Sequence, residues 1–218
     1  MNIRPNTRKL VLLAVFSAII VALGYPGSPL NMIGFPSIGG VINATTLHIP
    51  VILGAVLEGP VFGAILGAVM GLMSLLKAVL QPNLTSPYFI YPWVSVLPRI
   101  LIGLAAAGVF SLAKRKMNRS LSSGLAAVAG TLTNTIVVVS MLSVCNAVGS
   151  VDSAAWEAIR KVVQVIISVN GICELALAVL LTVALEKALR PIVLKGQTKK
   201  RVGKAKDETT KPEAEEQK

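Results

Sequence analysis

The sequence predicts an all-α, polytopic membrane protein with six transmembrane helices and both termini in the cytoplasm. Three observations predict it. Six apolar runs of helix length follow one another along the 218 residues. Charged residues make up only 14% of the chain, against roughly 25% in a soluble domain, while 54% are hydrophobic. The cations are also segregated. Of 21 Lys and Arg, only Lys77, Arg99, Arg160 and Lys161 lie outside the N-terminus, the Lys114–Arg119 loop and the chain from Lys187 onward. A bilayer core permits only helices or closed barrels, and the alternating pattern of barrel strands is missing, so helices are expected.

The first run, Leu10–Gly24, follows Arg4, Arg8 and Lys9. No convincing small-residue cleavage site follows it, and an uncleaved first helix is expected. Ala14, Ala18 and Ala22 repeat every four residues along it, a flat strip suited to close helix contact. The second run, Ile42–Leu57, rises only ~24 Å, less than a bilayer core of about 30 Å. Asn43, Thr45, Thr46 and His48 lie at its start, where irregular backbone could line a cavity. The third run, Val61–Leu80, is joined to it through Glu58-Gly59-Pro60, a tight hairpin. Gly59, Gly63, Gly67 and Gly71 share one helix face, where another helix can approach closely.

The fourth run, Trp93–Leu112, contains Pro98-Arg99. The fifth, Leu121–Val144, is interrupted by Asn134 among Thr131, Thr133 and Thr135. The sixth, Val162–Leu185, carries Asn170 and Glu174 on one face, with Gly171 beside them. Residues 1–194 thus form a six-helix membrane domain. Residues 195–218 mix both charge signs without an apolar period and are expected to be disordered, their basic start suited to anionic lipid.

The +11 net charge does not indicate nucleic acid, which would want a basic stripe on one folded face. The positive-inside rule instead places the N-terminus, the Lys114–Arg119 loop and the tail in the cytoplasm of a multi-pass cell-membrane protein. Three longer loops then face outward. One holds Tyr88, Phe89 and Tyr91, with Trp93 at its edge, either an interfacial aromatic belt or a lid over an outward pocket.

Ionisable groups inside a membrane are functional candidates by default. They are His48, Arg99 and Glu174; Lys77 lies near a helix end and can snorkel. Arg99 offers a planar fork for a ligand carboxylate, or a structural ion pair with Glu174. Asn134, Asn170 and Glu174 either bond between helices or face a polar cavity. His48 lacks companion ligands for a metal, and Cys145 and Cys173 form no CxxC site. No protease or hydrolase motif occurs, and no phosphate-binding loop, so ATP hydrolysis by that route is excluded for this chain.

Together these features resemble the substrate-binding S-component of an energy-coupling factor (ECF) vitamin transporter. The resemblance covers roughly Leu10–Leu185. It rests on the six helices, the Ala14/Ala18/Ala22 strip, the hairpin HIPVILGAVLEGPVFGAILGAVMG, the LPRILIGL run at Leu97–Leu104, and Asn170 with Glu174. It implies a prokaryotic plasma-membrane protein that captures a vitamin from outside, needs no cofactor, and docks by the alanine strip. Its partners would be a transmembrane coupling subunit and two ATPase subunits. The hairpin is most similar to the pantothenate-type branch. There Arg99 would meet the carboxylate, and Asn134 and Asn170 the hydroxyls. Asn43, Thr46, His48, Tyr88, Trp93 and Glu174 complete the expected substrate-binding set. The aromatic cluster keeps riboflavin, folate and pyridoxine as alternatives, and a self-sufficient secondary carrier or channel is the competing function.

Overall fold

The computed structural model describes residues 5–34, 37–38, 42–43, 46–82, 86–147 and 171–210. In chain order the elements are α1 (Pro5–Gly24), α2 (Asn31–Gly34), β1 (Ser37–Ile38), β2 (Ile42–Asn43), α3 (His48–Glu58) and α4 (Pro60–Leu80). They continue with α5 (Ser86–Phe89), α6 (Pro92–Ala113), α7 (Arg119–Ala147) and α8 (Gly171–Thr210). Among the described residues the secondary structure is helical apart from the short antiparallel ladder pairing Ser37 with Asn43 and Ile38 with Ile42.

Helices α1, α4, α6 and α7 are long and apolar enough to cross a bilayer. Four of the expected six spans are thus present among the described residues. Helix α3 has 11 residues, and the Val162–Asn170 part of the sixth predicted run lies outside the described residues. Helix α8 continues to Thr210, past residue 194 where the sequence suggests that the membrane domain ends.

The second helix starts six residues later than its apolar run. Pro50 accounts for this. A proline ring clashes with the carbonyl four residues before it, which favours Pro50 in the first turn, and the helix begins at His48. Ile42 and Asn43 go into the β-ladder instead. At the other end of α3, Gly59 has φ +102°, a backbone conformation that side chains disfavour, and its N–H donates to the Ala55 carbonyl. Pro60 then opens α4, where its missing N–H costs nothing.

The bundle has a near end, where α1 begins, and a far end, where α1 terminates and α3 and α6 start. Its core joins Phe16 and Ile20 of α1, Ile52 and Leu53 of α3, Leu66 and Met70 of α4, and Ile102 and Ala106 of α6. Leu10, Val61, Leu112, Ile136 and Leu180 are exposed, the outward apolar surface that lipid tails would cover. At the near end Lys9 pairs with Glu58 at 3.3 Å.

Glu186 of α8, fully buried there, accepts from Arg119 at 2.7 Å and from Arg190 at 3.1 Å. Removing one member of a buried pair costs about 3–5 kcal/mol. Both arginines are 33% exposed, so water would recover part of that. Glu186→Leu is expected to destabilise the fold by about 2 kcal/mol, read as a lower unfolding temperature in detergent.

Candidate functional site

Arg99 is shaped by its own helix. Pro98 has no N–H, so the carbonyl of Val94, four residues earlier, loses its helical donor. The Arg99 side chain turns back and supplies one, Nη1 donating to Val94 O at 3.2 Å. That bond aims the guanidinium at the far end of the bundle, where it lies 5.1 Å over the ring of Phe89. Arg99 is only 5% exposed. Its Nε has no hydrogen-bond partner among the described residues.

The glycine ladder holds α6 in this place. Helix α4 packs mainly on α6. A Cβ at Gly63 would lie 3.0 Å from the Gly103 backbone, and one at Gly71 would lie 2.6 Å from Val96 Cα. A Cβ at Gly67 would overlap the Arg99 carbonyl. The ladder's packing role is thus directed at the segment that carries Arg99.

Three more helices carry polar groups into the bundle. His48, the first residue of α3, is fully buried. Its Nε2 lies 3.2 Å from Thr131 Oγ1 of α7, and its Nδ1 lies 3.5 Å from Glu174 Oε1 of α8. One turn along α7 from Gly130, Asn134 is buried, and its Oδ1 has no partner among the described residues. Gly130 packs against Ile52 of α3 and Ile102 of α6. His48 thus meets α7 three residues before Asn134, while the Val94 bond carries the Arg99 guanidinium toward the far end.

Above them α5 closes the far end. Ser95 Oγ donates to the Phe89 carbonyl. Tyr88 is buried in a cluster with Val94, Leu142 and Cys145. The loop after α1 is tied down as well. Thr46 Oγ1 donates to Ile33 O at 2.7 Å, and the Asn31 amide donates to Gly24 O at 3.2 Å.

Buried cationic and amide side chains thus stand inside an apolar helical bundle. No trio of metal-ligating side chains occurs among the described residues. Such groups can recognise a small anion that also carries hydrogen-bonding groups. The model for the substrate-specific component of ECF transporters matches residues 8–186. The chain belongs to that family. It is also 33% identical over 201 residues to the pantothenic acid transporter PanT of Lactococcus lactis subsp. cremoris (strain MG1363), covering 85% of this chain and 95% of that one.

Of the residues singled out in its sequence, this substrate-specific component sets His48 beside Glu174 and buries Arg99, Asn134 and Tyr88. Others lie elsewhere. Trp93 is 56% exposed and stacks on Tyr91, ring centroids 5.0 Å apart, as an interfacial aromatic would. Thr46 spends its hydroxyl on the preceding loop. Asn43 is placed by its backbone in β2, and Asn170 lies outside the described residues.

One expectation is corrected. Among the described residues no ion pair joins Arg99 to Glu174; the carboxylate lies against His48 instead. The reason is the Pro98 gap, which turns the guanidinium back along α6 rather than across to α8. Sequence reasoning missed Thr131 as the partner of His48. It also missed Gly67 as the neighbour of Arg99, although the four-residue glycine spacing signals a close contact.

On α1, Phe16, Ile20 and Gly24 are buried, whereas Ala14 and Ala18 are exposed and Ala22 is half-buried. The alanine strip therefore lies away from the bundle's core. The same face shows Val11 and Val15.

Proposed function

We propose that the protein captures pantothenate outside a prokaryotic cell and delivers it inward as the substrate-binding subunit of an ECF transporter in the plasma membrane. The observation that carries this reading is the buried Arg99 guanidinium, its Nε without a hydrogen-bond partner among the described residues, as is the buried Asn134 Oδ1. The chain's identity of 33% to a pantothenic acid transporter supports the same choice.

In this reading Arg99 binds the vitamin carboxylate, and Asn134 and Asn170 bind its hydroxyl and amide groups. His48 and Glu174 lie outside the ligand's contacts, and Phe89 and Tyr88 form the roof. The near end, with the Lys114–Arg119 loop, faces the cytoplasm. Energy comes from partner ATPases through a transmembrane coupling subunit, since this chain has no phosphate-binding loop. Titration calorimetry of the purified protein with pantothenate is expected to show one saturable site. Absence of saturable binding would overturn the reading. Pantothenate flux into liposomes holding this protein alone would support a self-sufficient carrier instead.

The exposed alanine strip is the proposed docking face for the coupling subunit. Replacing Ala14, Ala18 and Ala22 together by Leu is expected to leave pantothenate binding within about twofold. Uptake by cells carrying the full transporter should fall to background, because bulky side chains block close helix approach. Unchanged uptake would remove the strip from the interface.

A further inference from the structure

A carboxylate beside a site for an anion needs an explanation. Glu174 is half-buried beside His48, which meets α7 at Thr131, three residues from the buried Asn134. Left unscreened, its charge would oppose the ligand that Arg99 attracts. The His48 ring lies between helices rather than toward the roof. Nδ1 is 3.5 Å from Glu174 Oε1, and Nε2 is 3.2 Å from Thr131 Oγ1. With hydrogen on Nδ1 the ring faces the carboxylate with a donor, whether it is neutral or an imidazolium. Thr131 holds the ring from α7, so Nδ1 stays on the side of the carboxylate.

We infer that His48 is a positioning residue that screens Glu174, and that the His48–Glu174 pair sets the site's preference for a negatively charged ligand without itself touching that ligand. The inference rests on the proposed pantothenate site. Its signature is charge-specific. Loss of His48 penalises an anion far more than a neutral molecule of the same shape, and neutralising Glu174 removes the penalty.

The test uses the purified full-length protein. Its probes are pantothenate and the uncharged alcohol analogue, in which CH2OH replaces the carboxylate. His48→Gln is expected to weaken pantothenate at least about tenfold while changing the alcohol less than about threefold. His48→Gln combined with Glu174→Gln is expected to return pantothenate to within about threefold of the unmodified protein. Equal losses for both ligands, or no rescue in the double variant, overturn the inference. If His48→Gln does not fold, Glu174→Gln alone decides. Retained or tighter pantothenate binding supports screening, and a tenfold loss means that Glu174 holds the ligand directly. If the unmodified protein binds neither probe, it is the pantothenate reading that fails.

Discussion

Arg99→Gln is expected to lower pantothenate affinity at least about a hundredfold. Hydrogen bonds to charged groups contribute about 1.5–3 kcal/mol each. A guanidinium fork supplies two of them to a carboxylate, and each 1.4 kcal/mol is about tenfold in affinity. The effect is large because Arg99 is buried and its Nε has no other hydrogen-bond partner among the described residues. Arg99→Lys keeps the charge but cannot bond Val94 O and hold a carboxylate with a rigid fork together, so a loss of intermediate size is expected. Calorimetry of both variants, with thermal unfolding as a check on the fold, measures this. Unchanged affinity in a folded Arg99→Gln protein would mean that the carboxylate is met elsewhere.

Gly67→Ala should reach the same site from outside it. The added methyl group would overlap the Arg99 carbonyl, and backbone cannot swing aside as a side chain can. Overpacking of this kind costs about 1–3 kcal/mol. The relief is a shift of α6 away from α4, which carries Arg99 with it. A lower unfolding temperature and an affinity loss of about tenfold or more are expected together. Gly108→Ala is the control. It lies on the same helix as Arg99, with no atom within 4 Å of the added group, so binding should not change. Normal binding by Gly67→Ala at a lowered unfolding temperature would separate the ladder from the site.

These two substitutions show where the sequence was readable. Arg99 is conspicuous in a sequence, since a cation in an apolar run demands a reason. Gly67 is conspicuous only as part of a packing stripe. That its partner is the Arg99 carbonyl depends on the register between α4 and α6, which no local pattern encodes. Pro98 was visible beside Arg99, yet its consequence, a vacant Val94 carbonyl filled by the neighbouring side chain, follows from where the guanidinium goes in three dimensions. Pro50 was likewise in view. Apolar periodicity alone extended the second helix to Ile42, and the steric rule for proline shortened it to His48.

By itself the sequence determined the helical membrane architecture, the hairpin at Gly59 and the family, because hydropathy, proline and glycine act locally along the chain. It also singled out His48, Arg99, Asn134 and Glu174, since buried polar groups are costly wherever they fall. Tertiary structure decided how those four are partnered. Gly130 against Ile52 and Ile102 sets three helices in register, which places His48 against Thr131 and Glu174 and leaves Arg99 to the far end. Register between helices is a property of interlocking surfaces far apart in the chain, so it appears only once the helices are packed.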